Sequence, residues 1–299
     1  MENIKSDAPG DLGALSLWEQ VKQHMEPITN LEFKLLKTIF SERFGIELKE
    51  EKKALVESRL GKVLHTRGMS NLSEYLEAVL KDNSGMLEQE MVEKLTTNHT
   101  FFMREAEHFN YLKEVVLPYL SNTVRDKDLR IWSAGCSSGE EPYTIAMVLS
   151  DFFNYSWDQW NTKILATDIS PAVLEKAVIG LYPEESVDDL PGRWKKLYFS
   201  KGNNGKIQVC DRIREEIIFR HLNLHEPTFR FKRKFHVIFC RNVMIYFNTQ
   251  MKQELIQKFY DWTEPGGYLF IGHSESLGRN TMGFEYIRPS IYRKEPKYR

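Results

Sequence analysis

From Thr29 to Leu95 the apolar residues recur at helical spacing. Phe33, Leu36, Lys37 and Phe40 fall on one face, and Thr29 ahead of Glu32 has the spacing of a capping box. The pattern repeats over Leu48 to Leu64, where Leu55, Val56, Leu60, Val63 and Leu64 form the apolar stripe. Lys52, Lys53, Arg59, Lys62 and Arg67 lie around that stripe. Two further helices are predicted over Leu72 to Leu80 and Met86 to Leu95, completing a small helical domain over residues 26–95. Residues 1–25, with Pro9, Gly10 and Gly13 among polar residues, are expected to form a flexible extension with one short helix around Leu15 to Met25.

Residues 96–128 read as a linker, TTNHTFFMRE (96–105), followed by a connecting helix from Ala106 to Leu120 that is interrupted near Pro118. From Leu129 the pattern changes to short apolar strands alternating with amphipathic helices. The expected strands are Leu129 to Ser133, Lys163 to Thr167, Phe235 to Cys240 and Tyr268 to Gly272; the expected helices are Tyr143 to Phe153, Pro171 to Val178 and Gln250 to Trp262. That alternation predicts a parallel sheet covered by helices on both faces, closed by an antiparallel hairpin over Phe284 to Arg293. It breaks over residues 181–222, where Leu197 to Ser200, Lys206 to Cys210 and Glu216 to His221 read as short strands around the turn GNNG (202–205). The expectation is an inserted antiparallel β-subdomain within a domain spanning residues 129–299.

Composition narrows the picture by exclusion. A net charge of -1 gives no global field suited to nucleic acid or an anionic membrane. No run approaches the roughly 18 apolar residues that a membrane span needs, and the N-terminus has neither a basic nor an apolar leader region, so a cytoplasmic protein is expected. The 3 cysteines, Cys136, Cys210 and Cys240, form no C-x-x-C pair, and the 8 histidines show no H-E-x-x-H spacing, so no metal site is expected.

The candidate chemistry centres on IWSAGCSSGEEPY (131–143), a strand running through a glycine-bearing turn into a helix. Ser137 and Glu140 occupy the second and third glycine positions of a dinucleotide fingerprint, no P-loop lysine is present, and Glu140 and Glu141 would repel a pyrophosphate. An adenosine ligand with positive charge and no phosphate suits this rim, which S-adenosylmethionine satisfies. Asp168 ends the next predicted strand, where doubly wound nucleoside-binding folds place the acid that accepts the ribose hydroxyls. The same residue before Ser-Pro also has the position of a helix cap. The basic residues of the second helix fit a solvated face or a docking face for an acidic partner.

Six stretches in order, TTNHTFFMRE (96–105), SAGCSSGEEPY (133–143), ATDIS (166–170), FRHLNL (219–224), FCRNVMIYF (239–247) and GHSES (272–276), resemble the bacterial chemotaxis receptor methyltransferases, CheR, over about residues 29 to 294. The resemblance implies an α/β protein: a class I methyltransferase (Rossmann-like) sheet, an all-helical N-terminal domain and a β-subdomain. It implies S-adenosylmethionine as cofactor, S-adenosylhomocysteine as product, and methylation of glutamate side chains on the cytoplasmic domain of chemoreceptors. Residue by residue, it puts Asn98, Thr100 and Arg104 over the cofactor, Glu141 near its methionine end, Asp168 on the ribose and Asn223 with Leu224 beside the adenine. Arg241, Asn242 and Tyr246 are implied near the reacting methyl, with Arg104 and Tyr246 as the catalytic pair. Met103 replaces the family's usual second phenylalanine and Cys136 a usual alanine or glycine.

A glutamate acceptor, with a free pKa of about 4.3, is already ionised at neutral pH and needs no general base, so alignment and exclusion of water are what the site must supply. Lys53, Arg59, Lys62 and Arg67 are the expected docking charges. The compact turn KGNNGK (201–206) points to an enzyme independent of a tether to the receptor's C-terminal peptide, and a monomer is expected. Two alternatives remain open: a class I methyltransferase acting on another substrate, and a non-catalytic S-adenosylmethionine-binding module. The intact Arg104, Arg241 and Tyr246 weigh against the second. His273 is expected to make only a structural hydrogen bond.

Overall fold

The structure is a computed structural model describing residues 27–278 and 281–296. The expected extension over 1–25 and its short helix lie outside the described residues. Two compact units result, one holding Leu48–Thr96 with the residues up to Ile39, the other Phe40–Glu47 with the residues from Thr97 onward.

The first unit holds α1 (Asn30–Phe44) as far as Ile39, α2 (Lys53–Arg67), α3 (Leu72–Lys81) and α4 (Met86–Leu95). The expected start of the second helix at Leu48 moves to Lys53, because a 3-10 turn over Glu50–Lys52 precedes it. Phe33, Leu36, Val56, Leu60, Leu72, Tyr75, Leu76 and Met91 are buried and form the apolar interior. The capping box is formed: Glu32 Oε2 accepts from Thr29 N at 2.9 Å and from Thr29 Oγ1 at 2.8 Å. Its other oxygen accepts from Ser73 N and Ser73 Oγ, both at 2.9 Å, so one carboxylate caps the start of α1 and ties it to α3. Burial works to raise the Glu32 pKa, but the bonds from Thr29 and Ser73 outweigh it and the net shift is downward. A lowered carboxylate pKa contributes stability above the unfolded value and loses it as pH falls through the folded one. Glu32→Ala is therefore expected to destabilise the helical unit by about 1–2 kcal/mol at pH 7, and by less in acid. Paired thermal melts at pH 7 and pH 3 check this.

In the second unit seven strands form one sheet: β1 (Ile131–Ala134), β2 (Ile164–Asp168), β6 (Ile217–His221), β7 (Phe235–Cys240), β8 (Thr263–Ile271), β9 (Phe284–Arg288) and β10 (Ile291–Lys294). The order is β6-β2-β1-β7-β8-β10-β9. Strands β6, β2, β1, β7 and β8 are parallel, while β10 is antiparallel to β8 and to β9. This is the mixed sheet expected for the class I methyltransferase fold. Alternation along β1 sorts its two faces: Ile131 lies in the cluster with Val237 and Phe239, and Trp132 and Ala134 lie in the cluster with Ile238 and Cys240.

Helix α5 (Ala106–Tyr111) passes through a π turn (Leu112–Val116) into α6 (Leu117–Thr123). The break expected near Pro118 is thus taken up just ahead of it, because the proline ring would clash with the carbonyl four residues back in a regular helix. Helices α5 and α6, with α7 (Glu140–Phe153) and α8 (Pro171–Ile179), cover the first face. After α9 (Gly192–Tyr198), helix α10 (Thr249–Trp262) covers the second.

A second sheet joins β3 (Leu181–Pro183), β5 (Lys206–Val209) and β4 (Phe199–Lys201) in the order β3-β5-β4. Its β4–β5 turn closes with Gly202 N donating to Lys206 O at 2.9 Å. Ile217–His221, read as part of the inserted subdomain, pairs in parallel with β2 and forms an edge of the main sheet. Its burial pattern is mixed, so periodicity could not distinguish the two sheets.

Candidate active site

The strand order reverses at β1, whose neighbours β2 and β7 are reached by connections running in opposite directions, and the crevice at such a switch point is where open α/β sheets bind ligands. The turn after β1 is stitched to β2: the N–H groups of Gly135 and Cys136 donate to Thr167 O at 2.7 and 2.9 Å. Gly135 has φ +82°, and a Cβ there would sit 2.4 Å from Val243 Cγ2. The close approach that requires this glycine is therefore to protein, where the sequence suggested a ligand. At Gly139, φ +98°, a Cβ would stand 2.9 Å from Ala177 Cβ, so this position too is fixed by packing.

Asp168 is buried at the end of β2. Its Oδ2 accepts from Ser137 N at 2.8 Å and its Oδ1 from Ser170 N at 3.0 Å. It faces the glycine turn and holds the residue before α8, whose N-cap is Ser170, without capping the helix itself; burial raises its pKa against these backbone donors. Ser137 Oγ donates to Asn98 O at 3.0 Å, which brings the 96–105 segment onto the turn through a carbonyl rather than through the Asn98 side chain. Thr100 is partly buried in the same segment. Glu140 accepts from Ser138 Oγ at 2.8 Å, and burial pushes its carboxyl upward. Glu141 accepts from Ser133 Oγ at 2.7 Å and from Arg241 Nη1 at 3.2 Å; burial raises its pKa and Arg241 opposes the rise.

Arg104 donates from Nη1 to His99 O at 2.6 Å, and its guanidinium lies 5.8 Å from the Phe101 ring centroid. Tyr246 directs its hydroxyl to Thr97 O at 3.5 Å, the limit of a hydrogen bond. Both candidate catalytic side chains thus lean on residues 97–104. Arg241 is buried: besides Glu141 it donates to Arg104 O and pairs with Glu105 Oε2 at 3.0 Å. Asn242, with φ +59°, donates from Nδ2 to Glu105 Oε1 at 3.3 Å. Asn223 and Leu224 stand apart from this set. Asn223 donates from Nδ2 to Arg43 O and accepts from His225 N, and Leu224 is buried in the cluster on the α10 face. The Asn223 amide is therefore bonded at one end to Arg43 near the end of α1 and at the other to its own loop.

Two acids were not singled out in the sequence. Glu105 collects Arg241, Asn242 and the His273 N–H at 3.2 Å. Burial acts to raise its pKa, but Arg241 and these donors bring it below the usual range. Glu275 accepts from Gly272 N at 2.6 Å, Asn242 N at 2.9 Å and Ile245 N at 3.2 Å, which anchors the loop after β7. A Cβ on Gly272 would sit 2.5 Å from Asn242 Nδ2, and that glycine within GHSES was the available signal. His273 makes its bond through the backbone, and its ring packs edge-on against His108 at 4.7 Å. Glu105, His108 and His273 hold potential ligand atoms within 4.8 Å of one another, but the Arg241 guanidinium already occupies that carboxylate.

The expected docking charges are partly committed within the helical unit. Arg59 donates to Lys94 O and Thr96 O at the end of α4, Arg67 pairs with Glu90 at 2.9 Å and Lys53 donates to Asn30 Oδ1. Lys62 is exposed.

An acidic crevice with a buried carboxylate at the β2 end suits a nucleoside carrying positive charge and a ribose diol. Comparison with known proteins agrees. Residues 98–292 match the family described as "CheR methyltransferase, SAM binding domain", and residues 31–96 match "CheR methyltransferase, all-alpha domain". The chain is 42% identical over 270 residues to a chemotaxis protein methyltransferase of Borreliella burgdorferi, covering 89% of this chain and 95% of the relative. It is 41% identical over 259 residues to a probable chemotaxis protein methyltransferase of Rhizobium etli, covering 85% and 96%. Against the chemotaxis protein methyltransferase of Escherichia coli the identity is 33% over 285 residues, covering 94% and 96%.

Proposed function

This chain belongs to the CheR family of S-adenosylmethionine-dependent chemotaxis methyltransferases, and on that premise we propose that its acceptors are glutamate side chains of chemoreceptor cytoplasmic domains, converted to methyl esters. The observation that supports the reading is the shared footing of Arg104 and Tyr246 on residues 97–104, a segment whose Asn98 carbonyl receives Ser137 from the glycine turn. Asp168 would hold the ribose, Glu141 would face the methionine end, and Asn98 and Thr100 would cover the ligand. When bound, S-adenosylmethionine supplies an electrophilic methyl group on a sulfonium.

The chain's own part is alignment. Arg104 neutralises and orients the incoming carboxylate, Tyr246 fixes its angle, and the 97–104 segment excludes water that would solvate the nucleophile. An acceptor ionised at neutral pH leaves no proton to be removed. The test uses methyl-labelled S-adenosylmethionine and a purified receptor cytoplasmic fragment. Label that is released as methanol by mild alkali is the expected result, because a carboxyl ester hydrolyses there. Alkali-stable label, or none on the receptor, would overturn the assignment.

Recognition of the receptor is assigned to the helical unit. The β4–β5 turn is compact and offers little edge for strand addition. Charge reversal at Arg59 and Lys62 is expected to slow receptor methylation most at low salt and to leave S-adenosylhomocysteine affinity unchanged. Micromolar binding of the receptor's C-terminal peptide to the enzyme would contradict this assignment.

A further inference from the structure

Arg104 sits between two residues in left-handed backbone, Met103 at φ +59° and Glu105 at φ +56°. Neither is glycine, so the conformation needs support from outside the turn. Met103 N donates to Thr144 Oγ1 at 3.2 Å, which holds the near side. On the far side the Arg104 carbonyl receives Arg241 Nη2, and the Arg241 guanidinium is in turn gripped by Glu105 Oε2 at 3.0 Å from Nη2 and 3.3 Å from Nε. The other Glu105 oxygen takes Asn242 Nδ2 and His273 N, so two distant stretches of chain, Arg241 with Asn242 and the turn at His273, converge on one carboxylate.

We propose that Glu105 is a positioning residue for methyl transfer. Through Arg241 it fixes the Arg104 carbonyl, and so the left-handed turn that aims the Arg104 side chain. The inference rests on the proposed role of Arg104. Charge is what the arrangement requires: a neutral amide of the same shape keeps only one accepting oxygen, and it would put an N–H where Glu105 now accepts Asn242 and His273 or the guanidinium. Arg241, buried between Glu105 and Glu141, would keep only one of its two carboxylates.

The experiment compares Glu105→Gln, Arg104→Lys and the double variant in single-turnover methylation, with S-adenosylhomocysteine affinity measured by calorimetry. Glu105→Gln is expected to lower the transfer rate about 30-fold, within the range that a small misplacement of reacting groups produces, while affinity moves by less than about threefold. In the Arg104→Lys background the same change is expected to cost less than about threefold more, because both substitutions act through one side chain. Independent, multiplicative losses, or a rate loss matched by an equal affinity loss, would make Glu105 a merely structural residue and overturn the proposal. If Glu105→Gln fails to fold, Glu105→Asp, which keeps the charge but withdraws it from Arg241, takes its place with the same expected pattern. Limited trypsin digestion supplies a readout that does not depend on the acceptor: cleavage after Arg104 should accelerate in Glu105→Gln. Unchanged cleavage overturns the proposal even if the wild-type enzyme methylates no receptor, an outcome that would instead remove the functional reading.

Discussion

Arg104→Ala is expected to lower receptor methylation about 100-fold while S-adenosylhomocysteine affinity changes by less than about threefold. The side chain is half-buried, pinned by one bond to His99 O and set against Phe101, which fixes its direction while leaving further N–H groups of the guanidinium to meet an anion. A carboxylate approaching a sulfonium must arrive in line, and a preorganised guanidinium supplies that geometry better than a flexible ammonium. Arg104→Lys should therefore recover only part of the activity. Single-turnover rates at saturating cofactor, set beside calorimetric affinities, separate alignment from binding. A variant that loses affinity and rate in equal proportion would reassign Arg104 to cofactor binding.

For Asp168→Ala the expected result is reversed: cofactor affinity falls by about 1–3 kcal/mol, the range for losing hydrogen bonds to a charged group. Thermal stability falls with it, because Ser137 N and Ser170 N lose their acceptor in a buried site. Each carboxylate oxygen already takes one backbone donor, and the second lone pair on each is what a ribose diol would use. Because burial raises the Asp168 pKa, protonation on acidification begins at higher pH than for a free aspartate, and affinity should weaken in that same interval. Calorimetric titration across the acid range at fixed ionic strength checks the direction. Undiminished affinity in a folded Asp168→Ala protein would remove this residue from the ligand site.

What the sequence by itself determined is what short-range physics controls. The capping box at Thr29 and Glu32, the four-helix pattern and the strand at Phe235–Cys240 are written within a few neighbouring residues, and each is present in the structure. The SAGCSSGEEPY turn was legible for the same reason, although its glycines answer to Val243 and Ala177, which lie far along the chain. Tertiary structure alone decided which sheet receives Ile217–His221, since a strand's partner is chosen by register with distant chain. It also decided the pairing of Glu105 with Arg241, 136 residues apart, and of Glu275 with Asn242, 33 apart. Neither acid stands in a local pattern that marks its partner. An ion pair inside a protein is stable only where burial, donors and counter-charge meet at one point, and that coincidence is a property of the packed chain.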